Sequence, residues 1–134
     1  MPSLPPPDFF VDRSLGRHRV PELLRAAGWS LQTHHEVYGR RDERVPDVEW
    51  LELCGTRGLA VLTADRRLRY RPPEIAAIRR HRVKAFVLIG ASLRAIDQVE
   101  RFERNQERIW TACSERGPFV YAVHADRIVR VFPT

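Results

Sequence analysis

Three short apolar runs punctuate the chain: Phe9-Phe10-Val11, Leu59-Ala60-Val61-Leu62 and the segment 83–89. They are separated by stretches whose apolar residues recur at helical spacing. An unbroken apolar run of this length suits a strand covered on both faces, and such strands occur where helices cross between parallel neighbours. Val20, Leu23, Leu24 and Ala27 predict a first helix that stops at Gly28. A second runs from about Pro46 to Arg57, where Gly58 ends it, and 73–80 predict a short third. Segment 29–37 alternates weakly as a further strand, and 38–45 read as a polar loop. After Gly90, Ser92 suits the cap of a long helix with the stripe Leu93, Ile96, Val99, Phe102, Ile109, Trp110 and Cys113, broken at Gly117-Pro118. Residues 119–124 and 128–132 form a hairpin about Ala125-Asp126. The order βαβαβ(α)βαββ predicts an α/β domain with a mainly parallel sheet, helices on both faces and an antiparallel addition at the end.

The 134 residues, 43% of them hydrophobic, suit one core, so a single domain over 8–134 is expected behind a proline-rich extended arm at 1–7. No apolar run approaches the ~20 residues of a membrane span, and the start lacks the pattern of a signal peptide. A cytoplasmic protein is expected. Cys54 and Cys113, without a second pair nearby, read as buried thiols. A formal charge of +6 and a pI near 10.3 fit a polyanionic partner, nucleic acid being the natural candidate. Of the 23 basic residues only Lys84 is lysine. That excess of arginine suits bidentate phosphate contacts, and it equally reflects codon bias.

In open parallel sheets the ligand site lies beyond the carboxyl ends of the strands, where Asp12 and Asp65 both fall. Asp47 opens the second helix in line with Trp50, Leu51 and Cys54 and so faces inward, whereas Glu49 and Glu52 point away. Each aspartate alone is ambiguous: Asp47 suits a helix cap, Asp65 can close a turn after Thr63, and Asp12 by itself is no more specific. As a set they repel one another, and Mg²⁺ or Mn²⁺ would turn that repulsion into hard-oxygen ligation suited to phosphodiester hydrolysis.

The segments Phe9-Phe10-Val11-Asp12, Asp47-Val48-Glu49-Trp50-Leu51 and Val61-Leu62-Thr63-Ala64-Asp65, in this order, resemble those of PIN and PIN-like ribonucleases. The resemblance covers 8–65, and the later strand and long helix also fit. It implies a three-layer α/β/α fold and a Mg²⁺- or Mn²⁺-dependent endoribonuclease, the toxin of a bacterial toxin-antitoxin pair of the VapC type. It also implies RNA, a cognate antitoxin and a possible homodimer partner. Asp12, Asp47 and Asp65 match acidic metal positions, and Thr63 matches the hydroxyl residue two before the last acid. A fourth acid is common after the next strand in the family. Here Gly90-Ala91-Ser92 stand there, and Asp97 lies more than a turn into the helix.

Arg66, Arg67, Arg69 and Arg71 come directly after Asp65 and can bring a phosphate backbone to the acids, with Tyr70 to stack on a base and Arg13 placed similarly beside Asp12. His34 and His35 read as structural, since neighbours on a strand point to opposite faces and no third soft ligand lies nearby in sequence. Two other classes stand beside the nuclease. One is a non-catalytic RNA- or antitoxin-binding module, supported by the missing fourth acid. The other is a phosphoacceptor receiver, disfavoured because Lys84 begins its strand rather than following it.

Overall fold

A computed structural model describes residues 6–90 and 93–133. Its centre is a six-stranded sheet of order β2-β1-β3-β4-β5-β6. The strands are β1 (Asp8–Val11), β2 (Ser30–Thr33), β3 (Ala60–Thr63), β4 (Lys84–Leu88), β5 (Phe119–Val123) and β6 (Ile128–Phe132). All pairings are parallel except the terminal β5–β6 hairpin. Among the described residues six α-helices join them: α1 (Arg19–Ala26), α2 (His34–Tyr38), α3 (Asp47–Arg57), α4 (Pro72–His81), α5 (Ala95–Arg104) and α6 (Gln106–Cys113).

The apolar runs are strands for the expected reason: every side chain of β3 is buried, as are the last three of β1 and the last four of β4. Successive residues divide between two cores. Phe9, Val11, Leu62 and Phe86 pack under α1, α5 and α6 with Leu24, Phe102 and Ile109. Phe10, Val61, Ala85 and Val87 pack under α3 and α4 with Trp50, Leu51, Cys54 and Ile78. Two helical layers sandwich the sheet, which is the three-layer α/β/α architecture. Gly55 lets α3 and α4 touch. A Cβ there would stand 2.3 Å from the carbonyl oxygen of His81, at the far end of α4.

Two segments differ from the sequence expectation. The strand predicted over 29–37 ends at Thr33, because Thr33 and Glu36 form a reciprocal capping box: the Thr33 hydroxyl accepts from the Glu36 amide, and the Glu36 carboxylate accepts from the Thr33 amide. The chain therefore turns into α2 and a 3-10 segment, Gly39–Arg44, where a loop was expected. The long helix is divided at Asn105, which is fully buried and whose side-chain amide donates to the carbonyls of Arg101 and His124. Helix α5 begins at Ala95, and Ile96 of the predicted stripe is exposed. Ser92, the predicted cap, and residues 1–5 of the predicted arm lie outside the described residues. Cys54 is buried and Cys113 partly so, and both are free thiols; burial pushes their pKa values up. Among the described residues no helix is long and apolar enough to cross a membrane.

Candidate active site

The carboxyl ends of β1 and β3 lie side by side, and Asp12 continues directly from the first. Asp12 caps the 3-10 turn Arg13–Leu15 and is 6% exposed. Its Oδ1 accepts from the Arg13 amide at 2.7 Å, and its Oδ2 accepts from the hydroxyls of Ser14 and Thr63, both at 2.8 Å. Those hydroxyls in turn accept from backbone amides across the strand end: Thr63 from Asp65 at 3.0 Å and Ser14 from Ala64 at 2.8 Å. Thr63 thereby ties Asp12 to the turn carrying Asp65. Ser14 does the same from the other side, and the D-x-S spacing that signals it went unread in the sequence.

Asp65 closes its own turn, Oδ1 accepting from the Arg67 amide at 3.0 Å, so the ordinary turn role holds for it. It does not exhaust the carboxylate. Asp47 is the first residue of α3, and its side chain makes no cap hydrogen bond there. Instead it lies along the inward stripe, accepting from Trp50 Nε1 at 3.0 Å above the buried Leu51 and Cys54. Glu49 pairs with Arg41 and Glu52 is exposed, as expected of the outward face.

Asp47 and Asp65 meet through a residue that was expected to face substrate. Arg71 Nη1 donates to Asp65 Oδ2 at 2.9 Å and to Asp47 Oδ2 at 3.3 Å. The site is thus two linked pieces, Asp12 with Thr63 and the Asp65 turn, and Asp65 with Asp47 across a guanidinium. Among the described residues no three His, Cys, Asp or Glu side chains are grouped closely enough to hold one ion. Arg71 sits between Asp47 and Asp65 and is the cation that pairs with both.

The acids nonetheless act on one another. Burial raises the pKa of Asp47 above the ordinary aspartate value, the Trp50 hydrogen bond opposes that, and the charges of Asp12, Asp65 and Glu74 raise it further. Glu74, in the first turn of α4, was not singled out in the sequence, and its Oε2 is buried without a hydrogen-bond partner. Hydrogen bonding to Asp65 raises the Arg71 pKa in turn. Two carboxylates held around a guanidinium, one of them reluctant to ionise, with Asp12 tied to the adjoining turn, are hard-oxygen donors of the kind that Mg²⁺ or Mn²⁺ takes.

The raised pKa makes Asp47 a cost to stability. Because its folded value exceeds the unfolded one, the penalty is absent below the ordinary aspartate range and grows as pH rises through it, reaching its full size above the raised value. Asp47→Asn removes the charge and keeps an acceptor for Trp50. It is expected to raise the melting temperature in EDTA at neutral pH by about 2–5 °C. A fall in the calorimetric or dichroic melt would show that the Arg71 pair outweighs the repulsion.

Arg13, Arg66 and Arg67 are exposed and Arg69 partly so, and none of their side chains pairs with an acid among the described residues. Leu68, fully buried, pins this basic loop to the body. Tyr70 is 61% exposed with the Arg69 guanidinium 4.2 Å from its ring centroid. Asp97 pairs with Arg94, on an element that contributes nothing to the aspartates. His34 is buried, its Nδ1 bonded to Asp42, which also accepts from Arg17 at 3.2 Å. Burial alone would raise the Asp42 pKa, but the His34 and Arg17 hydrogen bonds bring it below the usual value. This buried knot holds the 3-10 segment against the start of α2, so His34 has a structural part, though at a helix start rather than on a strand. Lys84 donates to the Cys113 carbonyl at 2.6 Å and begins β4, at the strand end opposite the acids, which disposes of the receiver reading.

The sequence model described as "PIN like domain" matches residues 7–90, which include both strand-end aspartates, Asp47, Thr63 and the basic loop. The chain belongs to the PIN-like domain family. This PIN-like protein is 34% identical over 123 residues to a Mycobacterium tuberculosis protein provisionally named ribonuclease VapC45, the match covering 91% of the present chain and 89% of the relative. No solved structure matches it.

Proposed function

We propose that this PIN-like protein is a Mg²⁺- or Mn²⁺-dependent endoribonuclease, the toxin of a type II toxin-antitoxin pair. The observation that carries the reading is the joining of Asp12, Thr63 and Asp65 at the carboxyl edge of adjacent parallel strands, with Asp47 brought to the same edge by α3. The likeness to a relative named as a ribonuclease supports it.

Asp12, Asp47 and Asp65 would hold the divalent ion, which when bound neutralises a phosphodiester oxygen and acidifies a water. The chain's own residues do the rest. The Ser14 and Thr63 hydroxyls fix the rotamer of Asp12 so that its position is set before substrate arrives. Arg13, Arg66, Arg67 and Arg69 adjoin the acids in sequence, pair with no acid among the described residues, and suit the phosphates on either side of the scissile bond. Tyr70 offers an exposed ring to an unstacked base, which favours single-stranded RNA. No histidine is needed as a base. A cognate antitoxin covering this cleft, a homodimer and a cytoplasmic location belong to the same reading.

The test is incubation of the purified protein with RNA in Mn²⁺, in Mg²⁺ and in EDTA, with Asp65→Asn alongside. Cleavage in either metal, none in EDTA and a loss of at least about a hundredfold in Asp65→Asn are expected. Equal cleavage with and without EDTA would sink the metal reading. No cleavage of any RNA by folded protein would favour a binding module.

A further inference from the structure

We propose that Arg71 is an internal counter-cation that keeps the acidic site closed, competing with the divalent ion for Asp47 and Asp65 and leaving them for substrate phosphate when the ion binds. The inference rests on the metal reading above and deepens it into a statement about regulation of that site.

One nitrogen of Arg71 contacts two carboxylates, at 2.9 Å and 3.3 Å, and its second nitrogen lies 3.4 Å from the other oxygen of Asp65. Asp47 and Asp65 are residues that would hold a divalent ion, and Arg71 occupies carboxylate oxygens that the ion would need. Among the described residues no other cation pairs with Asp47 or Asp65. The buried, unpartnered Oε2 of Glu74 adds to the negative field that draws the guanidinium in.

The residue is built to let go. Its backbone is fixed: the Arg71 amide donates to the Arg67 carbonyl, its carbonyl accepts from Ile75, and Pro72 and Pro73 come next at the start of α4. Its side chain is 38% exposed and, among the described residues, tethered by ion pairs alone, which are weak when solvated. Motion is therefore confined to the long side chain, which pivots beside the exposed Arg66 and Arg67 where RNA phosphates are expected. A guanidinium binds phosphate as readily as carboxylate, so the released group has a second partner.

Without the competing cation the acids should take up metal more readily. Titration calorimetry with MnCl₂ and no RNA, on the wild type, Arg71→Ala and Arg69→Ala, reads this directly. Arg71→Ala is expected to bind Mn²⁺ about tenfold more tightly, the scale of two partly exposed charge-assisted contacts. Arg69→Ala removes an equal charge from the same loop that touches no acid, and should change the affinity less than about threefold. With MnCl₂ present and a non-cleavable 2′-O-methyl RNA, fluorescence anisotropy should show Arg71→Ala binding several-fold more weakly than the wild type. Arg71→Gln, which keeps the stem, replaces the alanine variant if circular dichroism shows that variant misfolded.

Equal or weaker Mn²⁺ binding by both Arg71 variants overturns the proposal, and so does equal tightening by Arg69→Ala, which would mark a general charge effect. If Mn²⁺ binds none of the proteins, the metal reading itself falls and takes the proposal with it.

Discussion

Asp12→Asn is expected to lower metal-dependent RNA cleavage by at least about a thousandfold, some 4 kcal/mol of barrier, while moving the melting temperature by no more than a few degrees. The separation of the two effects comes from the hydrogen bonds. Asn keeps the carbonyl oxygen that accepts from the Arg13 amide, and its new amide can donate to the Ser14 and Thr63 hydroxyls, whose protons are then free to turn elsewhere. What disappears is the negative charge of the acid whose position is fixed most firmly. Asp12→Ala, by contrast, takes the acceptor from the buried Thr63 hydroxyl and should cost about 1–3 kcal/mol of stability as well. Retention of more than a tenth of the wild-type rate by Asp12→Asn, measured on one RNA in Mn²⁺, would remove Asp12 from the chemistry.

The second large effect concerns stability, and it reaches the site from the opposite end of two helices. Gly55→Val should cost about 3 kcal/mol or more, lowering the melting temperature by roughly ten degrees. A Cβ at Gly55 meets the His81 carbonyl oxygen at 2.3 Å and the His81 Cβ at 2.6 Å, so α3 and α4 must part. Gly58 serves as contrast. It lies three residues on, in the left-handed conformation at φ 70°, with open space where a Cβ would stand, so Gly58→Ala should cost only about 1 kcal/mol. Helices α3 and α4 begin at Asp47 and just after Arg71 and end at Arg57 and His81. Prying apart their ends therefore disturbs the Asp47–Arg71 contact at their starts. A Gly55→Val protein as stable as the wild type in a dichroic melt would contradict this packing.

The sequence made the strand ends legible because parallel, doubly covered strands are written as unbroken apolar runs. Once Phe10, Val61 and Val87 were placed inside, Asp12 and Asp65 had nowhere to go but the carboxyl edge. Asp47 was legible by helical arithmetic, since Trp50, Leu51 and Cys54 define the buried stripe it continues. The capping box at Thr33 was equally local. It lost to a weak alternation over 29–37 that looked like more strand. Other features depend on residues far apart in the chain. Asn105 breaks the long helix because it reaches His124, and no spacing within 93–113 announces that. Arg71 and Glu74 enter the site only because α4 starts beside the start of α3. Read as a run of charges, 66–71 looked uniformly directed at RNA, whereas one of its four arginines is folded onto the acids.

The family match ends at residue 90, yet the last third of the chain closes the sheet. Helices α5 and α6 lay Val99, Phe102, Ile109 and Ala112 over Phe9, Leu62 and Phe86, and β5 pairs with β4 along its whole length from Lys84↔Phe119 to Leu88↔Val123. A fragment ending at residue 90 would own every acid and arginine of the site and still present a bare apolar face and an open strand edge, the ingredients of self-association. Substitutions beyond residue 90 that uncover that face are expected to silence the protein by loss of the folded molecule rather than by injury to its acids.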